Sequence, residues 1–378
     1  MTPAQLDGGR ILVIVYGHVA DTMASIPGLR SLRRAYPSAR IEVLVVRGSE
    51  PILRHCPYVD ELVTWQDFQL KGTRLAKLEK AARLSALGTR LRGRRYDAVL
   101  VFHRSFRSIR RLAATTGAAV RAGIGDAGDG YTNTARPPAG IHSSREENAR
   151  VLAAIGIEED GGPVELWTTP DEEAAADRLL AAAGSAPRIG LHPGSDWSCQ
   201  QWLPEAWAEV GRTLRSRLGA SFVITGSGSE LALQDEIALG LGASAVRAAG
   251  ATSLGELVAL VRRLDLLICV NSAAAAIARS VGTPAVVLLG PEDARLTGLE
   301  AGEHLSIVQP GLRREPGSWC EFGRWGVLSG CESPMCRGIG GLDLLDPADV
   351  ARVALTFFEG PAKAKSEEGA SALVEEAS

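Results

Sequence analysis

The strongest constraint on this chain is a pattern that occurs twice: an aliphatic run, a stretch with helical spacing, then another aliphatic run. "ILVIVY" (11–16) leads into "MASIPGLRSLRRAYP" (23–37) and then "IEVLVV" (41–46). In the middle stretch Ile26, Leu29 and Leu32 recur at helical spacing, Arg30, Arg33 and Arg34 are expected to face elsewhere, and Pro37 ends the helix. Near-continuous aliphatic strands joined through a helix require parallel pairing with both sheet faces covered. A further buried strand is expected at Ala98–Phe102 and a closing helix over Arg145–Gly156. From Arg188 the pattern restarts with "RIGLHPG", a helix from Pro204 carrying Trp207, Val210, Leu214 and Leu218 on one face, then "SFVITG", "LDLLICV" and "AVVLLG". The fold class is α/β, with two Rossmann-like parallel-sheet domains and a ligand cleft expected at the carboxyl ends of the strands.

The 378 residues exceed the ~250 to 300 at which one core stops growing, in line with two domains. The first is expected over 1–168, since Thr169, Pro170 and Glu172 have the spacing of a capped helix start after a Gly- and acid-rich stretch. The second runs over 169–345. A last helix, 346–361, begins at Asp346-Pro347 and is expected to pack back toward the N-terminal domain; 362–378 is expected to be disordered. With 46% apolar residues, 22% charged and net charge −3, whole-chain electrostatics selects no partner. Six cysteines are too few for a disulfide scaffold, and Cys320, Cys331 and Cys336 lack the close C-x-x-C pairs of zinc ribbons, so free thiols in a reducing cytoplasm are expected. The longest near-apolar stretch, Leu266–Ala278, is interrupted by Asn271 and Ser272 and is too short for a bilayer span.

The loops after the strands carry the chemistry. "YGHVADTMASIPGL" has no G-x-G-x-x-G, which argues against a dinucleotide there. Asp21 lies where that loop becomes a helix, as a cap or as a catalytic carboxylate, and His18 is a loop residue beside it. In "LHPGSDWSCQQW", Ser195 and Asp196 between Gly194 and Trp197 fit a phosphate or sugar loop, or a turn over core tryptophans. Glu230 in "TGSGSE" fits ribose hydroxyls or a helix dipole. Asn271 and Ser272 end a buried strand and open an alanine-rich helix, an anion site suited to a diphosphate. Between Lys71 and Arg111 thirteen basic residues face only Glu79 and Asp97. This is a solvated helix face, or a patch for an anionic acceptor at a membrane surface; no nucleic-acid module is present.

In this order the loops resemble glycosyltransferase family 9, the ADP-heptose:lipopolysaccharide heptosyltransferases, over roughly residues 10–358. "ILVIVYGHVADTMASIPGL" matches the family's first loop, and "IHSSREENARVLAAIGI" looks like its "H-x-x-E-R-N" helix start. "GLHPGSDWSCQQW", "VITGSGSE" and "VNSAAAAIARSVGTPAVVLLGPED" are similar to its later motifs. The resemblance implies a GT-B fold and a single inverting, metal-independent displacement without cofactor, moving a heptose from ADP-heptose to a hydroxyl of a saccharide or anionic glycolipid. It makes Asp21 the general base, sets Ser195, Asp196, Gln200, Asn271, Ser272 and Ala273 against the donor diphosphate and sugar, Glu230 against the ribose and Thr252 at the adenine edge. His18, Arg104, Arg107 and His142 are expected as acceptor contacts, and the basic 71–111 segment is expected as a peripheral membrane contact.

Six positions depart from the family pattern. Its Gly before the base is Ala20, its diphosphate lysine is Gln200 with Gln201 next to it, its helix-opening Asp is Asn271, and Ala273 and Ala276 replace a Gly and a His. The helix N-terminus and Arg295 remain as positive groups for the diphosphate. Two alternatives follow: a transferase with another donor in small-molecule biosynthesis, or a non-catalytic homologue that keeps the fold as a binding module.

Overall fold

The computed structural model describes residues 6–66, 74–103, 106–126, 128–139, 143–184, 187–195, 200–242, 245–248, 250–290, 294–299, 301–310 and 341–359. They form two compact units: one runs to Trp167 and takes in Arg295–Gly298, and the other runs from Thr168. The expected tail lies outside the described residues.

In chain order the first unit contains β1 (Arg10–Val15), α1 (Val19–Ala24), α2 (Ile26–Ala35), β2 (Arg40–Val46), β3 (Glu61–Trp65), α3 (Arg74–Gly93), β4 (Ala98–Val101), α4 (Arg107–Thr115), β5 (Val120–Ile124), β6 (Asn133–Ala135) and α5 (Ser144–Ala153). Its strands are all parallel in the order β3-β2-β1-β4-β5-β6. The chain thus works outward to β3, crosses back over β1 and continues on the other side. At the crossing Ile11 pairs with Ala98 and Ile14 with Val101, so the ends of β1 and β4 are level.

The second unit repeats this plan. It contains α6 (Pro170–Ala183), β7 (Arg188–His192), α7 (Pro204–Leu218), β8 (Ser221–Ile224), α8 (Leu231–Leu241), β9 (Ala245–Arg247), α9 (Leu254–Val261), β10 (Leu266–Val270), α10 (Ala273–Val281), β11 (Ala285–Leu288), β12 (Leu305–Val308) and α12 (Pro347–Thr356), while the short α11 (Ala294–Thr297) between β11 and β12 falls, from Arg295 on, to the first unit. The parallel order β12-β11-β10-β7-β8-β9 has β7 and β10 as its crossing pair. The expected pair of parallel-sheet α/β domains is therefore the fold.

Three local expectations change. The single helix after β1 is two, because Ser25 interrupts it ahead of Pro27, whose ring nitrogen has no proton to donate. Arg30 does not face solvent: it is buried, donating to both carboxylate oxygens of Asp160 at 2.6 Å, to Glu165 at 2.9 Å and to the Pro163 carbonyl. The segment after α5 covers this face of α2, and two carboxylates repay the burial of a charge. The last helix, expected toward the N-terminal domain, buries Val350, Ala351 and Ala354 in the core of the second unit, against α7. Its amphipathic face is equally satisfied there.

A charged residue also sits inside β2. Glu42 has no exposed surface and accepts from Arg10 and Arg94 at 2.5 Å, Tyr96 at 2.6 Å and Arg40 at 3.1 Å. Burial alone would push its carboxyl up, but the hydrogen bonds outweigh it and hold the group at about 2. At the end of β7, burial lowers the His192 imidazole from 6.5 to about 4.

Both groups bind protons more tightly when unfolded, so both stabilise the fold at neutral pH and stop doing so on acidification. The His192 contribution is complete above pH 6.5 and is lost as pH falls toward 4; that of Glu42 is complete above 4.5 and is lost toward 2. Urea unfolding at stepped pH should show the two losses in that sequence, each on the order of 2 kcal/mol. His192→Asn should flatten the upper step alone, and a mutant curve parallel to the parent's would contradict the assignment.

Candidate functional site

In the first unit the candidate residues gather where the loops after β1 and β4 part. In a doubly wound sheet the neighbouring crossovers leave to opposite faces at this point, and the gap is where ligands bind. His18 caps α1 and Asp21 is the third residue of that helix, so Asp21 is not itself the cap. The Asp21 carboxylate is a quarter exposed and fixed on both oxygens. Oδ2 accepts the backbone N–H of His18 at 3.0 Å, and Oδ1 accepts Ser144 Oγ–H, from the first turn of α5, at 2.6 Å. Gly17 makes this possible, since a Cβ there would overlap the carboxylate.

Ser144 is outside the expected set, and two further residues outside it, His103 and behind it Glu147, stand beside this carboxylate. His103, two residues beyond β4, has φ of +66°, a region that favours glycine, and it stacks on Tyr16 with ring centroids 5.3 Å apart. Its Nε2 lies 4.0 Å from Asp21 Oδ1, and its Nδ1 lies 2.6 Å from Oε2 of Glu147, a buried residue of α5. The "VFHRSF" run directly after a buried strand was the available signal for His103; nothing in the order of residues pairs it with Glu147.

The other acceptor candidates fare differently. His18 and Arg107, the first residue of α4, are exposed. Arg104 and His142 lie outside the described residues. The basic stretch divides into two roles. Arg94 is consumed by Glu42 and Glu61, and Arg110 approaches Asp129 at 3.4 Å. Lys80, Arg83 and Arg90 of α3 instead line a cavity of about 460 Å³ with Arg47, Trp65 and Gln66 at the ends of β2 and β3. Because the strands are parallel, this cavity opens at the same sheet edge as Asp21.

In the second unit the donor candidates follow successive strands at one edge. Ser195 follows β7, Glu230 follows β8, Thr252 follows β9, and Asn271 and Ser272 follow β10. Gly194 lets the first two loops touch, because a Cβ there would overlap the Glu230 carboxylate. Glu230 accepts the Ser227 N–H at 2.6 Å. The backbones of Gly228 and Gly250 approach until a Cβ on Gly250 would stand 3.0 Å from Gly228 Cα, which draws the Thr252 loop alongside. Gln200 is turned inward, 5% exposed, and its carbonyl accepts Ser195 Oγ–H at 2.9 Å, so it braces the loop. Asn271 joins β10 to β11 through its N–H to the Leu288 carbonyl at 3.1 Å. Ser272 caps α10, yet its Oγ is enclosed and has no hydrogen-bond partner among the described residues. Ala273 opens the helix; Asp196 and the side chain of Arg295 lie outside what is described.

The sequence profile of glycosyltransferase family 9 (heptosyltransferase) matches residues 84–311, more than half of the chain. The chain belongs to glycosyltransferase family 9. It is a glycosyltransferase of the heptosyltransferase type. It is 26% identical to lipopolysaccharide heptosyltransferase 3 of Escherichia coli over 286 residues, covering 72% of this chain and 81% of that protein. Among solved structures, the family 9 glycosyltransferase of Veillonella parvula matches with a TM-score of 0.76 at 21% identity, covering 94% of this chain and 98% of that one. The E. coli heptosyltransferase solved with ADP-2-deoxy-2-fluoro heptose matches with a TM-score of 0.65 at 15% identity, covering 93% and 99%. These likenesses carry the GT-B fold to this chain.

The position of the Asp21 carboxylate depends on the missing Cβ of Gly17. Gly17→Ala should displace the carboxylate from the His18 N–H and lower sugar transfer about tenfold or more, as loss of a positioned acid–base group does. Far-ultraviolet circular dichroism should stay unchanged. Transfer within twofold of the parent would mean that the Asp21 geometry does not matter.

Proposed function

We propose that this protein is an inverting, metal-independent transferase that moves a heptose from ADP-heptose to a hydroxyl of an anionic saccharide or glycolipid acceptor, with Asp21 as general base. The observation that carries this reading is the Asp21 carboxylate, held on both oxygens at the carboxyl end of the first sheet's crossing pair. A general base must stand within hydrogen-bond reach of the proton it takes and keep its orientation. The acceptor O–H bond breaks toward Asp21, the freed oxygen attacks the anomeric carbon, and that carbon's bond to the diphosphate breaks with the electron pair leaving on the phosphate oxygen.

The donor end draws support from α10. The backbone N–H groups in its first turn and the unpartnered Ser272 hydroxyl suit a diphosphate, which needs donors more than any single cation. Glu230, fixed against Gly194, suits a ribose diol, and Thr252 in the adjoining loop suits the base. The E. coli relative solved with an ADP-heptose analogue supports an ADP-linked donor. Titration calorimetry with ADP, UDP and GDP tests this directly. Selective ADP binding is the expected result; binding to none of the three would favour a non-catalytic module.

Asp21→Asn should reduce kcat by about 10² to 10⁴ while the dissociation constant for ADP stays within twofold, because the carboxylate acts on the acceptor proton only. Retained turnover in single-turnover assays with ADP-heptose would remove Asp21 from the role of base.

The cavity lined by Arg47, Lys80, Arg83 and Arg90 suits a phosphate or carboxylate on the acceptor, and Trp65 offers a face for a sugar ring. Replacing Arg83 and Arg90 together by Gln should raise the acceptor KM about tenfold and steepen no donor parameter. An unchanged acceptor KM would assign these arginines to the solvated face of α3.

A further inference from the structure

Glu147 is a buried carboxylate that the reaction as described does not use. It lies on α5, three residues beyond Ser144, and its Oε2 is 2.6 Å from His103 Nδ1. Its neighbour Asn148 has an evident structural task, donating to the Ala24 carbonyl at 3.2 Å and tying α5 to the end of α1. Glu147 instead sets its buried charge against an imidazole. That imidazole is also fixed by its backbone and by a stacked ring. Its backbone is in the left-handed region, its ring is stacked within 16° of parallel on Tyr16, and Phe106 packs edge-on against Tyr16. Strain of this kind in a non-glycine residue persists where surrounding contacts over-determine it, and it concentrates at working sites.

We propose that Glu147, His103 and Asp21 form a proton relay in which the proton taken from the acceptor hydroxyl comes to rest on His103. This rests on Asp21 being the base. A carboxylate on Nδ1 selects the tautomer with its proton on that nitrogen, which leaves Nε2 as the acceptor nitrogen on the Asp21 side. The 4.0 Å from Nε2 to Asp21 Oδ1 is a contact that a small side-chain shift closes, and catalytic hydrogen bonds are often this long before substrate is bound. In the relay the Asp21 O–H bond breaks, a bond from that proton to Nε2 forms, and Asp21 returns to a carboxylate. The imidazolium lies between two carboxylates, and its ring, 24% exposed, releases the proton to water. The gain is in driving force. Imidazole is ordinarily more basic than a carboxylate by about two pKa units or more, so the pair removes the hydroxyl proton more completely than a carboxylate alone.

The test uses the full chain with ADP-heptose as donor and deacylated lipopolysaccharide core as acceptor, and it needs His103→Ala, Glu147→Gln and Asp21→Asn side by side. His103→Ala should lower kcat by about 10² with the KM for donor and acceptor within twofold, and added imidazole should restore part of the rate. Glu147→Gln keeps a hydrogen-bond acceptor for Nδ1–H but removes the charge, and it should lower kcat in the same selective way. If His103→Ala does not fold, Glu147→Gln carries the test. Loss of turnover in Asp21→Asn without loss in the other two overturns the relay alone; full turnover in Asp21→Asn overturns the base on which it rests. A readout that needs no acceptor is the ¹⁵N spectrum of the histidines. The His103 ring should show its proton on Nδ1, and Glu147→Gln should weaken that preference. A proton on Nε2 would face Asp21 with a donor and would overturn the relay whatever the kinetics.

Discussion

The pairing of β1 with β4 is the constraint on which the first unit depends. Parallel strands order their loops at one edge, and a strand order that reverses direction leaves one pair whose connections depart to opposite faces. Asp21 follows one member of that pair and His103 follows the other. Their meeting is a consequence of register: Ile14 opposite Val101 makes the strand ends level, so residues two positions beyond each, Tyr16 and His103, stack on one another. The second unit repeats the arrangement, with Ser195 after β7 and Asn271 after β10.

Buried charge is divided along the same strands. At the amino-terminal half of the first sheet Glu42 is surrounded by three arginines and Tyr96, and on the face of α2 Arg30 is surrounded by Asp160 and Glu165. Each such cluster satisfies its central charge from several sides, which is what makes burial tolerable. They hold β2 to its neighbours and the segment after α5 to α2. At the carboxyl edge the charges are partnered differently. Asp21 keeps a quarter of its surface open, and Glu147 is given to an imidazole that can change its own charge. In the proposed reaction, the groups that gain and lose a proton are thus set apart from groups whose charge is fixed.

This division explains what was legible in the sequence. The central strands of both sheets and the place of Asp21 follow from short-range pattern: an aliphatic run, a polar turn, a helix start; the outer strands β3, β5, β6, β9 and β12, shorter or less aliphatic, are not read from it. The loops holding Ser195, Glu230, Asn271 and Ser272 were legible for the same reason, since each comes directly after a strand that the pattern identifies; Thr252 follows β9, which it does not. Arg30 was not, because its burial depends on Asp160 and Glu165, some 130 residues away in the chain. The partner of the last helix was not, because an amphipathic face says that it must be covered and not by what. His103 and Glu147 were missed on both counts. One stands in a backbone conformation that residue type does not announce, and the other is read as part of a capped helix start, where Ser143 and Glu146 supply a sufficient local reason for the acidic run.

The departures of the second unit from the family pattern take on physical meaning in the same terms. Where the family has a lysine and an aspartate, this chain has Gln200 and Asn271, so a positive and a negative group are both absent and the local charge is nearly unchanged. Gln200 has turned inward to Ser195 and become part of the loop's framework. A diphosphate held at this edge would then be met by hydrogen-bond donors that carry no formal charge: the first turn of α10 and the Ser272 hydroxyl. Backbone N–H groups at a helix start are fixed by the fold and need no side-chain ordering, so such a site gives up the strength of an ion pair and keeps its geometry. The cavity proposed for the acceptor is built the opposite way, from the side-chain cations of Arg47, Lys80, Arg83 and Arg90 beside Trp65. One end is specified by backbone and the other by charge, and of the two it is the backbone end that can lose a lysine and an aspartate while the shape of its donor set survives.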